Sequence, residues 1–213
     1  MKPYEKEVNK VLNNYSIVRS YSFNEEEIIS WIIQLYCPEG IELDPTYRIG
    51  SIYKNLQKPK LKFDLSPQSS DIIKSDCRNL PLDDNLIQSI LFDPPFLIRK
   101  VPMTKDKKRP IMCNDFTCFK TLEESKLMYL ESLAEFRRIL KPKGILIFKC
   151  QDIVHHTKQV FYHNFIINNA EAIGLEPLDL FLRLNKSVPI RNKLHKQKFA
   201  RKFHCYYLVF RKK

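Results

Sequence analysis

Apolar residues at Ile28, Ile29, Ile32, Ile33, Leu35 and Tyr36 recur at helical spacing behind Asn24-Glu25-Glu26-Glu27. The pattern predicts a helix in which Asn24 caps the free amides and Glu27, three residues on, reaches back, with Pro38 and Gly40 as the stop. Beyond it the period changes. Short apolar runs at 41–43, 61–65, 71–73, 87–92 and 145–149 read as strands separated by turns or helix-like segments. A second helix is expected from Thr121 to about Leu140, opened by the Thr121-x-x-Glu124 signature and ended by Pro142 and Gly144. Ile145-Leu146-Ile147-Phe148 follows at once, the look of a parallel strand buried on both faces. A third helix should cover Val160 to Ile173 and end at Gly174, with strands near Leu178–Leu184 and His204–Phe210. This alternation argues an α/β fold.

With 213 residues, no internal repeat and no break in composition, one domain is expected. It would divide into an N-terminal helical segment, 1–40, packed on a core formed by 41–213. Hydrophobic residues make up 44% and charged residues 28%, which excludes a wholly disordered or fibrous chain. No run approaches the ~18 apolar residues of a membrane span. Six cysteines without a C-x-x-C pair, behind a start that lacks a secretory pattern, suit reduced thiols in the cytoplasm.

Charge narrows the class of partner. Lysine and arginine outnumber acids 36 to 24, a net +12 that suits a polyanion such as nucleic acid. From Arg183 to Lys213 there are 11 basic residues and no acid, among them Arg191, Lys193, Lys196, Lys198 and Arg201. A second basic stretch carries Arg99, Lys100, Lys107, Lys108 and Arg109 among prolines and polar residues, and the two stretches could flank one cleft, gripping phosphates.

The most informative string is Ser89-Ile90-Leu91-Phe92-Asp93-Pro94-Pro95-Phe96, an apolar run ending in two prolines that cannot continue a ladder. Ligands of open α/β sheets bind beyond the carboxyl ends of strands. A rigid turn there would present Asp93 and the Pro94 carbonyl as two acceptors for the hydrogens of an exocyclic amine, with Phe96 stacking its ring. Accepting both hydrogens favours a tetrahedral nitrogen and exposes its lone pair to an electrophilic methyl group. Upstream, Ile41-Glu42-Leu43 runs into Asp44-Pro45-Thr46-Tyr47-Arg48-Ile49-Gly50, a second acid at a strand end followed by a turn. Asp64, twenty residues after Asp44, is placed to hold a ribose diol, and Asp76 ends a further run where it could accept from an adenine amine. His155-His156 and His163 lack an accompanying cysteine or carboxylate set, so no metal is expected. The chain has no Pro-Cys pair, which sets aside cytosine-C5 chemistry.

On these motifs the sequence from Ile41 to Phe210 resembles the S-adenosylmethionine-dependent exocyclic-amino DNA methyltransferases, most closely the short phage and bacterial DNA methylases. The resemblance implies a class I methyltransferase (Rossmann-like) fold: α/β, with a mostly parallel seven-stranded sheet and flanking helices in a single domain. It implies S-adenosylmethionine as cofactor, held by Asp44, Pro45, Thr46 and Gly50 along its methionine part, by Asp64 at the ribose and by Asp76 at the adenine. Asp93-Pro94-Pro95-Phe96 matches the family's catalytic (Asp/Asn/Ser)-Pro-Pro-(Tyr/Phe/Trp) motif, and Lys141-Pro142-Lys143-Gly144 its approach to the fifth strand. Arg48 departs from the pattern by standing where the family often has glycine. The expected reaction is methylation of DNA at adenine N6, ahead of cytosine N4, in a bacterial or phage-infected cytoplasm. RNA as the polymer, or a catalytically silent nucleic-acid-binding protein of the same fold, are the alternatives.

Overall fold

A computed structural model describes residues 17–98, 118–186 and 198–213. Its main sheet comprises β1 (Tyr21–Ser22), β2 (Leu43–Asp44), β3 (Leu61–Asp64), β4 (Ile73–Lys74), β5 (Ile87–Phe92), β8 (Leu140–Cys150), β11 (Leu175–Leu184) and β12 (His204–Lys212). Two small ribbons stand apart from it, β6 (Leu97–Ile98) with β7 (Cys118–Phe119), and β9 (Ile153–His155) with β10 (Lys158–Val160). The helices are α1 (Glu25–Tyr36), α2 (Leu122–Ile139) and α3 (Tyr162–Ala172).

Across the main sheet the order is β4-β3-β2-β5-β8-β12-β11-β1, and β12 alone runs against its neighbours. Seven strands were expected and eight are found, because Tyr21–Ser22 adds a parallel edge to β11. Two residues are too few to leave a period in the sequence.

Strand parity decides which face each residue serves. Ile145 and Ile147 of β8 pack with Leu91, Tyr207, Val209 and the α1 residues Ile28, Ile29 and Ile32. Leu146, Phe148 and Cys150 point the other way, into a core shared with Phe92, Tyr129, Phe136, Tyr162 and Ile166. Both faces are therefore apolar, as a covered parallel sheet requires.

Helix starts follow local chemistry, with one correction. Thr121 caps α2 by accepting from the Glu124 amide at 3.0 Å, while Glu124 accepts from the Lys120 amide at 2.7 Å. Asn24 caps α1 through the Glu26 amide at 3.0 Å, but Glu27 does not reach back; it accepts from the Ser22 hydroxyl at 2.5 Å, and Ser22 takes the Asn24 amide at 2.9 Å. The shorter Ser22 side chain, bent back by the edge strand, supplies the second cap.

Flanking helices are fewer than α/β alternation implies. The β2–β3 connection holds only a 3-10 turn, Ser51–Tyr53, and the β3–β4 and β4–β5 connections carry no helix. Residues 65–72 contain Pro67 and three serines, too short and too turn-prone for one. The β4–β5 connection is pinned by α2 instead: Arg138 donates to the Leu82 carbonyl at 2.8 Å and to Asp84 at 2.7 Å, and Glu135 accepts from the Leu80 amide at 2.7 Å. Among the described residues no helix is long and apolar enough to cross a membrane, and no group of acids, histidines and cysteines is arranged to hold a metal ion. Cys37, Cys77, Cys150 and Cys205 are buried thiols outside any disulfide.

Candidate active site

Four parallel strands deliver their carboxyl ends to one cavity of about 540 Å³. Asp44, Asp64, Asp76 and Asp93 all line it, together with Pro45, Thr46, Pro94 and Pro95. Gly50 and Phe96 do not line it; Gly50 shapes its turn from behind, and Phe96 is half-buried just before β6.

Asp44 ends β2 and is turned inward, 2% exposed. One oxygen accepts from the Thr46 amide at 2.8 Å and its hydroxyl at 3.2 Å, and the other from the Tyr53 hydroxyl at 2.9 Å. Burial pushes its carboxyl up to about 7, against the pull of those hydrogen bonds. Thr46 ties this turn to the next strand, since its hydroxyl also takes the Asp93 amide at 3.1 Å.

The turn closes through Gly50, whose φ of 65° is left-handed. A Cβ there would sit 2.3 Å from Cζ and the hydroxyl oxygen of Tyr47, a ring that is itself buried and stacked on Tyr53 at 5.7 Å. Gly50→Ala is therefore expected to lower the thermal midpoint, the backbone alone costing about 1–2 kcal/mol, and to weaken cofactor binding. Arg48→Gly should do the reverse or nothing, because Arg48 already holds a φ of 49° that glycine adopts freely. Thermal unfolding of the two variants with and without S-adenosylmethionine checks both; an unshifted Gly50→Ala midpoint would contradict the steric argument.

The Arg48 backbone takes a glycine-like left-handed conformation, and its amide donates to Asp64 at 2.8 Å. The other Asp64 oxygen accepts from the Ser66 amide at 2.7 Å. A carboxylate has about four acceptor positions, so Asp64 keeps capacity for a pair of hydroxyls. Asp76 is more fully engaged: Arg78 grips it through its side chain at 2.6–3.1 Å and its amide at 3.0 Å, which holds its pKa below the ordinary range. Arg78 continues to Glu131 on α2 at 3.1 Å.

Asp93, at the end of β5, receives the Lys149 ammonium on Oδ2 at 2.8 Å. Burial raises its pKa, and the Lys149 charge opposes that rise. Lys149 is itself 8% exposed and bridges to Glu25 at 2.7 Å, which also accepts from the Tyr207 hydroxyl at 2.7 Å. Burial disfavours the Lys149 charge, but the two carboxylates outweigh it and raise its pKa. The proline turn is held from the opposite face, where Tyr129 donates to the Pro95 carbonyl at 2.8 Å. Tyr129 is buried edge-on among Phe119, Phe148 and Tyr162, so the core itself props the turn.

Sequence reasoning did not find Lys149, Glu25, Tyr207, Tyr129 or Arg78 as parts of the site. A lysine closing an otherwise apolar strand was the available signal for the first. Of the expected phosphate contacts, Lys198 and Arg201 are exposed. Arg99, Lys100, Lys107, Lys108, Arg109, Arg191, Lys193 and Lys196 lie outside the described residues.

No protein-family model matches the sequence, and no curated protein does. Solved structures match the fold. A protein of Thermotoga maritima, an S-adenosylmethionine-dependent methyltransferase and candidate histamine N-methyltransferase, superposes with a TM-score of 0.51 at 16% identity over 99% of this chain and 98% of its own. The [4+2]-cyclase SpnF follows at 0.50, with 12% identity over 96% and 93%.

The fold is that of the class I S-adenosylmethionine-dependent methyltransferases.

A candidate DNA modification methylase of Thermus thermophilus also aligns, at 15% identity and a TM-score of 0.43, over 65% of this chain and about half, 52%, of its own length. A cyclase among the bearers of the methyltransferase fold shows that the reaction has to be argued from the site. The cavity of this methyltransferase fold suits a cationic nucleoside. Asp64 offers acceptors for a diol, Leu65, Phe119, Leu127 and Met128 give apolar walls for a ring, and Asp44 supplies a carboxyl group to meet a cation. S-adenosylmethionine has all three features, a diol, a flat base and a sulfonium.

Proposed function

We propose that this protein methylates an exocyclic amino group of a DNA base, adenine N6 ahead of cytosine N4, with S-adenosylmethionine as donor. The observation that carries the reading is the Asp93-Pro94-Pro95 turn opening on the same cavity as the diol-binding candidate Asp64.

The cofactor would bring an electrophilic methyl on sulfur, so that the new N–C bond forms as the S–C bond breaks and the surplus proton leaves the nitrogen for solvent. The chain's own task is placement. Asp93 and the Pro94 carbonyl accept the two amine hydrogens, which turns the nitrogen lone pair out of conjugation. Lys149 fixes one Asp93 oxygen from behind, and among the described residues Oδ1 has no donor and is left for the amine. Thr46 sets the distance between the cofactor turn and the amine site by bonding to both Asp44 and Asp93. In a duplex the base has to leave the stack, at a cost of a few kcal/mol, and a basic surface recovers part of that cost through the phosphates.

The test is incubation with S-adenosylmethionine and matched DNA and RNA oligonucleotides, followed by nucleoside mass spectrometry. The expected product is N6-methyldeoxyadenosine. Methyl groups found only in RNA would replace the polymer in this reading, and none in either would overturn it.

A further inference from the structure

Beyond the cavity, at the same end of the sheet, a chain of rings crosses from β12 to the start of α3. His204 Nε2 lies 2.9 Å from the Tyr206 hydroxyl. Tyr206 stacks on His163 with centroids 4.6 Å apart, and His163 meets Phe161 edge-on at 6.1 Å. The Lys202 ammonium lies 5.9 Å from the centre of the Phe161 ring. Asp152, 3% exposed, anchors the row from beneath by binding His163 Nδ1 at 2.8 Å and the Tyr206 hydroxyl at 3.1 Å.

The row ends in open apolar surface. Phe161 is 52% exposed, and Val154 and Phe203 of the adjoining segments are 41% and 40% exposed. Lys202 lies over the Phe161 ring, Lys158, Lys198 and Arg201 belong to the same two segments, and neither 153–161 nor 198–206 contains an acid. Aromatic faces interleaved with cations, with the Asp152 carboxylate already bound underneath, are complementary to unstacked bases on a phosphate backbone. Tyr206 pairs with Cys150 and Phe92 with Phe148, so the row starts two strand spacings from the Asp93 turn, on the order of 10 Å. Phe161 stands farther along the row, beyond the 4.6 Å and 6.1 Å ring spacings, within reach of a nucleotide a few positions from a base held at Asp93.

We infer that Phe161 and Lys202 form a stacking platform for a nucleotide flanking the target in single-stranded DNA, separate from the pocket that takes the target base. The inference rests on the functional reading above for the identity of the polymer. Phe161 presents its ring to a base, and Lys202, held over that ring, meets the adjoining phosphate. The β9–β10 hairpin leads straight into Phe161. Its two-residue turn, His156 and Thr157, holds φ values of 44° and 63° although neither is glycine.

The experiment is a fluorescence-anisotropy titration of labelled single-stranded DNA, without cofactor, at several salt concentrations. Phe161→Ala and Phe161→Leu should each weaken binding on the order of tenfold, while Phe161→Trp retains it. Lys202→Ala should lower the slope of log affinity against log salt by about 0.7. Unchanged thermal midpoints are expected, since the ring is largely outside the core. Wild-type affinity in both Phe161→Ala and Phe161→Leu overturns the platform, and tighter binding of RNA of the same sequence overturns the choice of DNA. The two readings fail separately: methyl transfer with unaltered Phe161→Ala binding sinks the platform alone, and platform-dependent binding without methyl transfer sinks the enzymatic reading alone.

Discussion

Asp93→Ala is expected to cut methyl transfer by at least about 10²–10³-fold, the usual cost of removing one preorganised polar partner from a reacting centre, while leaving cofactor affinity nearly intact. The reason lies in the separation of tasks within the cavity. The diol candidate Asp64 hangs from β3 and is set by the Arg48 and Ser66 amides, neither of which touches Asp93. Calorimetry with S-adenosylmethionine should therefore give similar binding for wild type and variant, while single-turnover methylation collapses. Asp93→Asn should lose less, because its amide keeps one carbonyl acceptor for the amine. Full turnover in Asp93→Ala would remove this residue from the mechanism.

Lys149→Met should produce the second-largest effect, and a different one. With the cation gone, Glu25 and Asp93 face each other across the space it filled, and burial is left unopposed in raising the Asp93 pKa. The sign follows directly: a higher pKa leaves less Asp93 carboxylate at neutral pH, so activity falls there and returns as pH is raised. The acid limb of the rate profile should move upward, so that activity is lost first at the acid end and the lost activity is regained at higher pH. Stability changes as well. In the wild type Lys149 outweighs burial and holds the Glu25 pKa below its ordinary value, so the Glu25 contribution is present above the unfolded pKa and lost as pH falls through the folded one. Removing one member of a buried pair costs about 3–5 kcal/mol, and the partial exposure of both carboxylates places this case at or below the lower end. Glu25→Gln in the Lys149→Met background should recover stability without restoring the original pH profile. A Lys149→Met profile superimposable on wild type would show that the ion pair serves the fold alone.

Much of this architecture was legible in the chain because local signals agree with the tertiary result. The Thr121 cap, the apolar face of α2 and the strand that follows it require only neighbours in sequence. The same holds for strands ending in Asp44, Asp64 and Asp93, since each is an apolar run meeting a residue or turn that cannot extend it. The β9–β10 hairpin went unread because its turn lacks the Asn-Gly or Asp-Gly pair that announces such turns. The connections between β2 and β5, open in the sequence between turns and helix-like segments, are settled as turns because such short, turn-prone segments cannot form a helix.

Within the site the division is sharper. Residue type and strand-end position determined, from sequence alone, which acids could meet a cofactor and which turn could present an amine acceptor, because chain reversal at a strand end is a local property. That Lys149 shares a face with Ile145 and Ile147 also follows from strand parity. Its partners do not: Glu25 lies more than a hundred residues away, and only the packing of α1 across β8 and β12 brings it to the same ammonium. The collection of Asp44, Asp64, Asp76 and Asp93 around one cavity was likewise decided by sheet order, which depends on long-range pairing that no local pattern encodes.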